Sequence, residues 1–148
     1  MLTLESFRAH WQFSQNDSLV VALSGGIDSI VLLHLLTSLR DQGSDFALRA
    51  IHVNHHLCNA SDEWEQYCNT LCVSWGVTFN AYSVNVNRNS GLGIEAAARL
   101  ARYQCLDEHC LSGECLLTAH HQMDQVETLL LRLIRGSGIK GLSAMSVQ

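Results

Sequence analysis

Strand-length apolar runs alternate along the chain with longer stretches of helical spacing. Leu19-Val20-Val21-Ala22-Leu23 and Cys115-Leu116-Leu117-Thr118-Ala119 are near-continuous runs, the pattern of strands buried on both faces. Ala47 to Asn54 read as another strand, ending in the polar cluster His52-Val53-Asn54-His55-His56. Val77, Phe79 and Ala81 alternate with Thr78, Asn80 and Tyr82, which predicts an edge strand with one wet side, where the sheet ends. Between these runs, Ile30 to Leu39 are apolar on nearly every side and predict a deeply buried helix, with His34 as a core or boundary residue. Ser61 to Trp75 form an amphipathic helix with Trp64, Cys68, Leu71, Cys72 and Trp75 on one face. Ile94, Ala97, Ala98, Ala101 and Cys105 mark a third helix. Val126, Leu129, Leu130, Leu133 and Ile134 mark a fourth, stopped by Gly136-Ser137-Gly138. Leu4, Phe7 and Trp11 predict a short helix over residues 3–13 laid on the core.

Four alternations of strand and helix predict an α/β fold with right-handed crossovers and a doubly wound parallel sheet. Ligands in such sheets bind beyond the carboxyl ends of the strands. The loop after Leu23, the cluster at His52 and the pair His120-His121 would then share one rim.

The loop Ser24-Gly25-Gly26-Ile27-Asp28-Ser29 lies between a strand and a helix. Two glycines let backbone N–H groups converge, Ser24 and Ser29 add hydroxyls, and the helix dipole adds partial positive charge, so the loop suits a phosphate. It matches neither the G-x-x-x-x-G-K-[ST] nor the G-x-G-x-x-G pattern. Asp28 inside an anion cradle makes chemical sense where Mg²⁺ joins it to a polyphosphate. The plainer reading is that Ser24 or Asp28 caps the helix.

Composition narrows the setting. The chain has 148 residues, 47% hydrophobic and 16% charged, ordinary for one soluble α/β domain. No apolar run reaches the length of about 18 residues that a membrane span needs, and there is no basic-then-apolar start, so a cytoplasmic location without membrane contact is expected. Six cysteines fall mostly in helical stripes or buried runs and read as reduced core thiols, with no Cys-x-x-Cys and no zinc quartet at the usual spacing. A formal charge of −5 disfavours nucleic-acid binding by the bulk surface. The run Arg132, Arg135 and Lys140, with no acids, is either a basic helix end or an RNA contact.

Ser24-Gly25-Gly26-x-Asp28-Ser29 resembles the signature of the PP-loop (N-type) ATP pyrophosphatases, which cleave ATP between its α and β phosphates. Taken with His52-Val53-Asn54-His55, Glu95-Ala96-Ala97-Ala98-Arg99 with Arg102-Tyr103, Thr118-Ala119-His120-His121-Gln122-Met123-Asp124-Gln125-Val126-Glu127-Thr128, and Arg135-Gly136-Ser137-Gly138, the chain is similar over nearly its whole length to the N-terminal catalytic domain of the tRNA(Ile)-lysidine synthetase family. The resemblance implies one PP-loop domain over 1–148 and a two-step reaction on tRNA(Ile) with a CAU anticodon. The C2 oxygen of the wobble cytidine attacks the α-phosphate of ATP, pyrophosphate leaves, and the amine of L-lysine displaces AMP.

Carried over by position, Ser24, Gly25, Gly26, Ile27 and Ser29 would cradle the pyrophosphate, with Asp28 holding Mg²⁺. His52 and Val53 would border adenine, largely through backbone. Arg102 and His120 would stabilise charge at the reacting phosphate and base, and Asp124 and Glu127 would receive lysine. Asp124-x-x-Glu127 also reads as a capping box, Glu95 and Arg99 as an i,i+4 pair, and His121 as a neighbour that fixes the turn. The alternatives are a tRNA thiolase of the same superfamily, a GMP-synthetase-like amidation and a non-catalytic ATP-binding module. The family's further tRNA-binding regions and its last strand after Gly141-Leu142 have no counterpart here, so the chain reads as a part of such an enzyme, with an open sheet edge inviting self-association.

Overall fold

The computed structural model describes residues 4–10, 17–120 and 130–135. The elements run α1 (Leu4–His10), β1 (Asp17–Ala22), α2 (Ile27–Asp41), β2 (Phe46–Asn54), α3 (Ser61–Ser74), β3 (Thr78–Ser83), α4 (Ile94–His109), β4 (Glu114–His120) and β5 (Leu130–Arg135). They build one five-stranded sheet in the order β3-β2-β1-β4-β5. The first four strands are parallel: Val21 pairs with Ala50 of β2 on one side and Leu117 of β4 on the other, and Ile51 pairs with Asn80 of β3.

Alternation along each buried strand sends side chains to two separate cores. On one face Leu19, Val21, Ala50 and Leu117 pack against Phe7 of α1, Leu32, Leu33, Leu36 and Leu39 of α2, and Cys68 and Cys72 of α3. On the other, Val20, Ile51, Val53 and Leu116 pack against Cys105 and Leu106 of α4. The sheet is thus doubly wound. The crossovers through α2 and α3 step from β1 outward to β3, and the crossover through α4 returns to β4. The order reverses between β1 and β4, and in open α/β sheets that is where a crevice forms at the carboxyl ends.

Most of the expected elements are present, and four details differ. Residues 130–135, expected in a fourth helix, form β5 antiparallel to β4, from Cys115 opposite Arg135 to His120 opposite Leu130. Short apolar runs are ambiguous in period; here Leu130, Leu131, Leu133 and Ile134 are nearly continuous, and β4 offers an edge whose N–H and C=O groups need partners. The far edge of the sheet is therefore carried one strand beyond β4. The other marks of that helix, Val126, Leu129 and Gly136-Ser137-Gly138, and the segment after Gly141 lie outside the described residues. Strand β3 does end the sheet, but its supposed wet side is partly covered, because the Tyr82 ring stacks on His109 of α4 with centroids 3.6 Å apart. Trp64, expected on the buried stripe of α3, is 56% exposed, while Cys68 and Cys72 are sealed. Burial pushes both of those thiols up to about 11, so they remain protonated packing groups. In α2 the leucines at 32, 33, 36 and 39 are buried but Val31 and His34 are exposed, and His34 packs at the boundary against the Trp75 ring at 5.2 Å. No helix among the described residues is long and apolar enough to cross a membrane.

Candidate active site

The chain leaves β1 through Leu23, whose N–H still donates to Ile51 O at 2.8 Å, and then turns sharply into α2. Gly25 makes the turn at φ 86°, a conformation that favours a residue without Cβ. The two serine hydroxyls brace the loop from inside. Ser24 N–H donates to Ser29 Oγ at 3.2 Å, Ser29 Oγ–H donates to Gly26 O at 2.9 Å, and Gly26 N–H donates to Ser24 Oγ at 3.3 Å. At Gly26 no side chain caps the helix, so the capping alternative for Ser24 and Asp28 does not hold. The N-cap position is held by Gly26, which has no side chain, and the first-turn N–H groups of α2 are ones a helix cannot satisfy internally. Asp28 is half-buried in that first turn, and Ile27 is 75% exposed beside it.

Next to the loop a cleft of about 270 Å³ opens at the carboxyl ends of β1, β2 and β4, with Arg102, Tyr103 and Leu106 of α4 as one wall. Ser24, His52, Val53 and Arg102 all line it, together with Thr118 and Ala119, so the loop and the His52 cluster meet on one rim beside the end of β4. His52 is buried, its Nδ1–H donating to Leu23 O at 2.7 Å and its ring stacked on Phe79. The imidazole therefore ties β2 to the exit of β1. Val53 is buried on the α4 face. Arg102 and Arg99 both lie over the Tyr103 ring, at 5.6 and 5.5 Å from its centroid. Among the described residues no ion pair joins Glu95 to Arg99, and the expected i,i+4 pair gives way to this stacking. β4 ends at His120, at the rim; His121, Asp124 and Glu127 lie outside the described residues.

Three further rim residues, Asn54, His55 and Thr118, lie within the motifs but take no role from the sequence alone. Asn54 donates through Nδ2 to Asp62 Oδ1 at 3.0 Å and Glu65 Oε2 at 2.9 Å, while its Oδ1 accepts from His56 N–H at 2.9 Å. This fastens the end of β2 to the start of α3 and holds His56 at φ 51°. His55 is held below the ordinary histidine range, first by burial and then by the charges of Arg102 and His52. Thr118 reads as core because it sits in an apolar run; the signal that marks it is a hydroxyl at the carboxyl end of a buried strand. Among the described residues no group of three His, Cys, Asp or Glu side chains could hold a metal ion by itself.

Strand order, switch point and glycine loop together define a doubly wound α/β domain whose β1–α2 turn has a helix N-terminus, a geometry that suits an anion. Over residues 3–148 the sequence matches the PP-loop domain, and the chain belongs to that family. It is 46% identical over 137 residues to the tRNA(Ile)-lysidine synthase of Histophilus somni, covering 93% of this chain and 32% of that relative. With the synthase of Serratia proteamaculans it shares 50% over 137 residues, covering 93% and 31%, and with that of Pectobacterium atrosepticum 51% over 129 residues, covering 87% and 29%. The chain thus spans about a third of the length of these curated relatives. Among solved structures it resembles the U34-tRNA thiolase NcsA of Methanococcus maripaludis, determined with its [4Fe-4S] cluster, at a TM-score of 0.62 and 19% identity, covering 71% of this chain and 38% of that one. That likeness concerns the fold.

Proposed function

We propose that this domain carries the ATP-cleaving and ligating chemistry of a tRNA(Ile)-lysidine synthase: L-lysine is joined to C2 of the wobble cytidine of tRNA(Ile) with a CAU anticodon, through an adenylated tRNA, with release of AMP and pyrophosphate. The observation that carries the reading is the 46–51% identity to proteins of that name across the same residues that build the loop and the cleft. A cytoplasmic setting suits the reaction.

In the first step the cytidine C2 oxygen forms a bond to the α-phosphorus while the bond to the pyrophosphate oxygen breaks. Ser24, Gly25, Gly26, Ile27 and Ser29 hold the departing phosphates at the N-terminus of α2, where backbone N–H groups and the dipole favour negative charge. Asp28 fits Mg²⁺ delivered with ATP, since Mg²⁺ is commonly held by one or two carboxylates plus phosphate oxygens. The ion neutralises phosphate charge when bound. His52 and Val53 border the adenine, and the bond from the His52 ring to Leu23 O keeps that wall rigid. Arg102 and His120 stabilise the charge that develops as the phosphate and base react. In the second step the lysine amine attacks C2, AMP leaves with the C2 oxygen, and the amine gives up a proton. Asp124 and Glu127 receive the cationic substrate.

The test is AMP release from ATP and Mg²⁺, with and without L-lysine and a CAU-anticodon isoleucine tRNA, and with Asp28→Ala as the control. AMP release that requires ATP, the tRNA and L-lysine together and vanishes in the control is the expected result. ATP that binds but gives no AMP under any combination would leave a nucleotide-binding module and overturn the proposal. Replacing Asp124 and Glu127 by Asn and Gln is expected to weaken lysine use and spare ATP binding.

A further inference from the structure

Two buried polar atoms in the cleft have no partner among the described residues. Thr118 Oγ1 and His55 Nδ1 form no hydrogen bond among the described residues, although both side chains line the cleft and Thr118 is only 5% exposed. A buried hydroxyl or ring nitrogen left unpaired is costly, and native folds rarely keep one without a ligand or water to satisfy it. Among the described residues nothing in β4 or its neighbours hydrogen-bonds to that hydroxyl. Thr118 lies on the same face as Leu116, where valine would fill the same volume without an unmatched polar atom.

The surroundings restrict what could satisfy these atoms. Ile51, Val53 and Leu106 give the cleft apolar walls, which suit the faces of a flat ring. Arg102 already supplies positive charge, and with burial it disfavours a second cation on His55, so the imidazole offers one donor or one acceptor and no charge. Thr118 offers a hydroxyl that can do either. The phosphate loop begins at Ser24 in the same cleft.

We propose that Thr118 and His55 are the polar anchors for the uncharged edge of a nucleobase, whose faces lie between the apolar walls of the cleft. The proposal rests on the reading of the domain as an ATP-dependent tRNA-modifying enzyme. Under that reading two bases reach the cleft, the adenine of ATP and the cytosine being modified. Both present an amino group beside a ring nitrogen, the chemistry that these two atoms complement.

The experiment uses this chain with Thr118→Val, Thr118→Ser, His55→Leu and His55→Asn, the second of each pair restoring a polar atom. Calorimetric affinities are measured for ATP and for inorganic tripolyphosphate, which has no base, and AMP release is followed with the tRNA. If adenine is the ligand, Thr118→Val and His55→Leu weaken ATP about tenfold, tripolyphosphate binding is unchanged, and the Ser and Asn variants recover part of the loss. If the target base is the ligand, ATP affinity holds and the KM for tRNA rises by about the same factor. In either case ligand-free Thr118→Val melts no lower than the unsubstituted chain. Unchanged ATP affinity together with unchanged tRNA kinetics would overturn the proposal while leaving ATP use intact, and so would a Thr118→Val chain that melts well below its parent. An unsubstituted chain that binds neither ATP nor tripolyphosphate would remove both readings at once.

Discussion

Toward the amino end of the sheet, Arg49 of β2 has its guanidinium occupied on every side: Nε and one terminal nitrogen reach Glu114 of β4 at 2.7 and 2.6 Å, the other terminal nitrogen reaches Asn80 of β3, and His109 O closes the end of α4. Glu114 in turn accepts from Leu111 N–H at 2.7 Å. At the carboxyl rim of the same strands, polar groups are gathered and left partly unmatched: the α2 terminus has no side-chain cap, and Thr118 Oγ1 and His55 Nδ1 have no partner among the described residues. A bidentate, hydrogen-bonded ion pair that spans three strands holds the architecture, whereas unmatched donors and acceptors stand ready for a ligand. The contrast separates residues whose loss should unfold the chain from residues whose loss should silence it.

The largest effect is expected at the rim. Arg102→Met should lower tRNA-dependent AMP release by about 10²–10³-fold, the range for losing one group that stabilises transition-state charge, with the melting temperature nearly unchanged. A fall in stability equal to the fall in activity would erase the distinction between the two ends. At the other end Arg49→Met should cost about 3 kcal/mol, because Glu114 is left buried without its partner, while ATP affinity of the folded fraction is retained. Urea midpoints read the first and titration of the folded protein reads the second. The double change Arg49→Met with Glu114→Gln should recover part of the loss, since no unpaired charge remains.

A smaller effect follows from acid. Hydrogen bonding from Arg49, opposed by burial and aided by the Leu111 N–H, holds the Glu114 carboxyl below its ordinary value of 4.5. A carboxylate depressed in the folded state stabilises it above the unfolded value and loses that contribution as pH falls through the folded one. The stability gap between the parent and Glu114→Gln should therefore be constant near neutrality and shrink below pH 4.5. A gap that does not change with pH would mean that the Arg49 pair contributes through packing alone.

The contrast also tracks what the sequence reveals. The glycine loop, the four parallel strands and the β3 edge are local patterns, each legible in a stretch of a few residues. Arg49 and Glu114 stand 65 positions apart, and neither has a local pattern that announces the other. Asn54 stands in a visible polar cluster, but its role is silent for a related reason, since it depends on where α3 begins rather than on its own neighbours. Residues 130–135 mislead because an apolar run of that length fits helix and strand equally, and only the available β4 edge decides. Thr118 is hidden by its apolar company.

The smallest expected effect tests whether the phosphate loop belongs to the architecture or to the ligand. Gly25 sits at φ 86°, and a Cβ there would meet Cys68 Sγ at 3.5 Å, an ordinary contact. If the loop were held in place, Gly25→Ala would cost only the backbone term, about 1–2 kcal/mol in this conformation, without a clash to add to it. If the loop relieves that strain by shifting, the melting temperature will hardly move, and ATP affinity will fall because the N–H groups no longer converge. If α2 and α3 hold the loop in place through Leu32, Leu33 and Cys68, stability will fall and affinity will survive. The contrast between the two ends predicts the first result: the serine braces lie within the loop itself, so the loop can move without breaking the core beneath it.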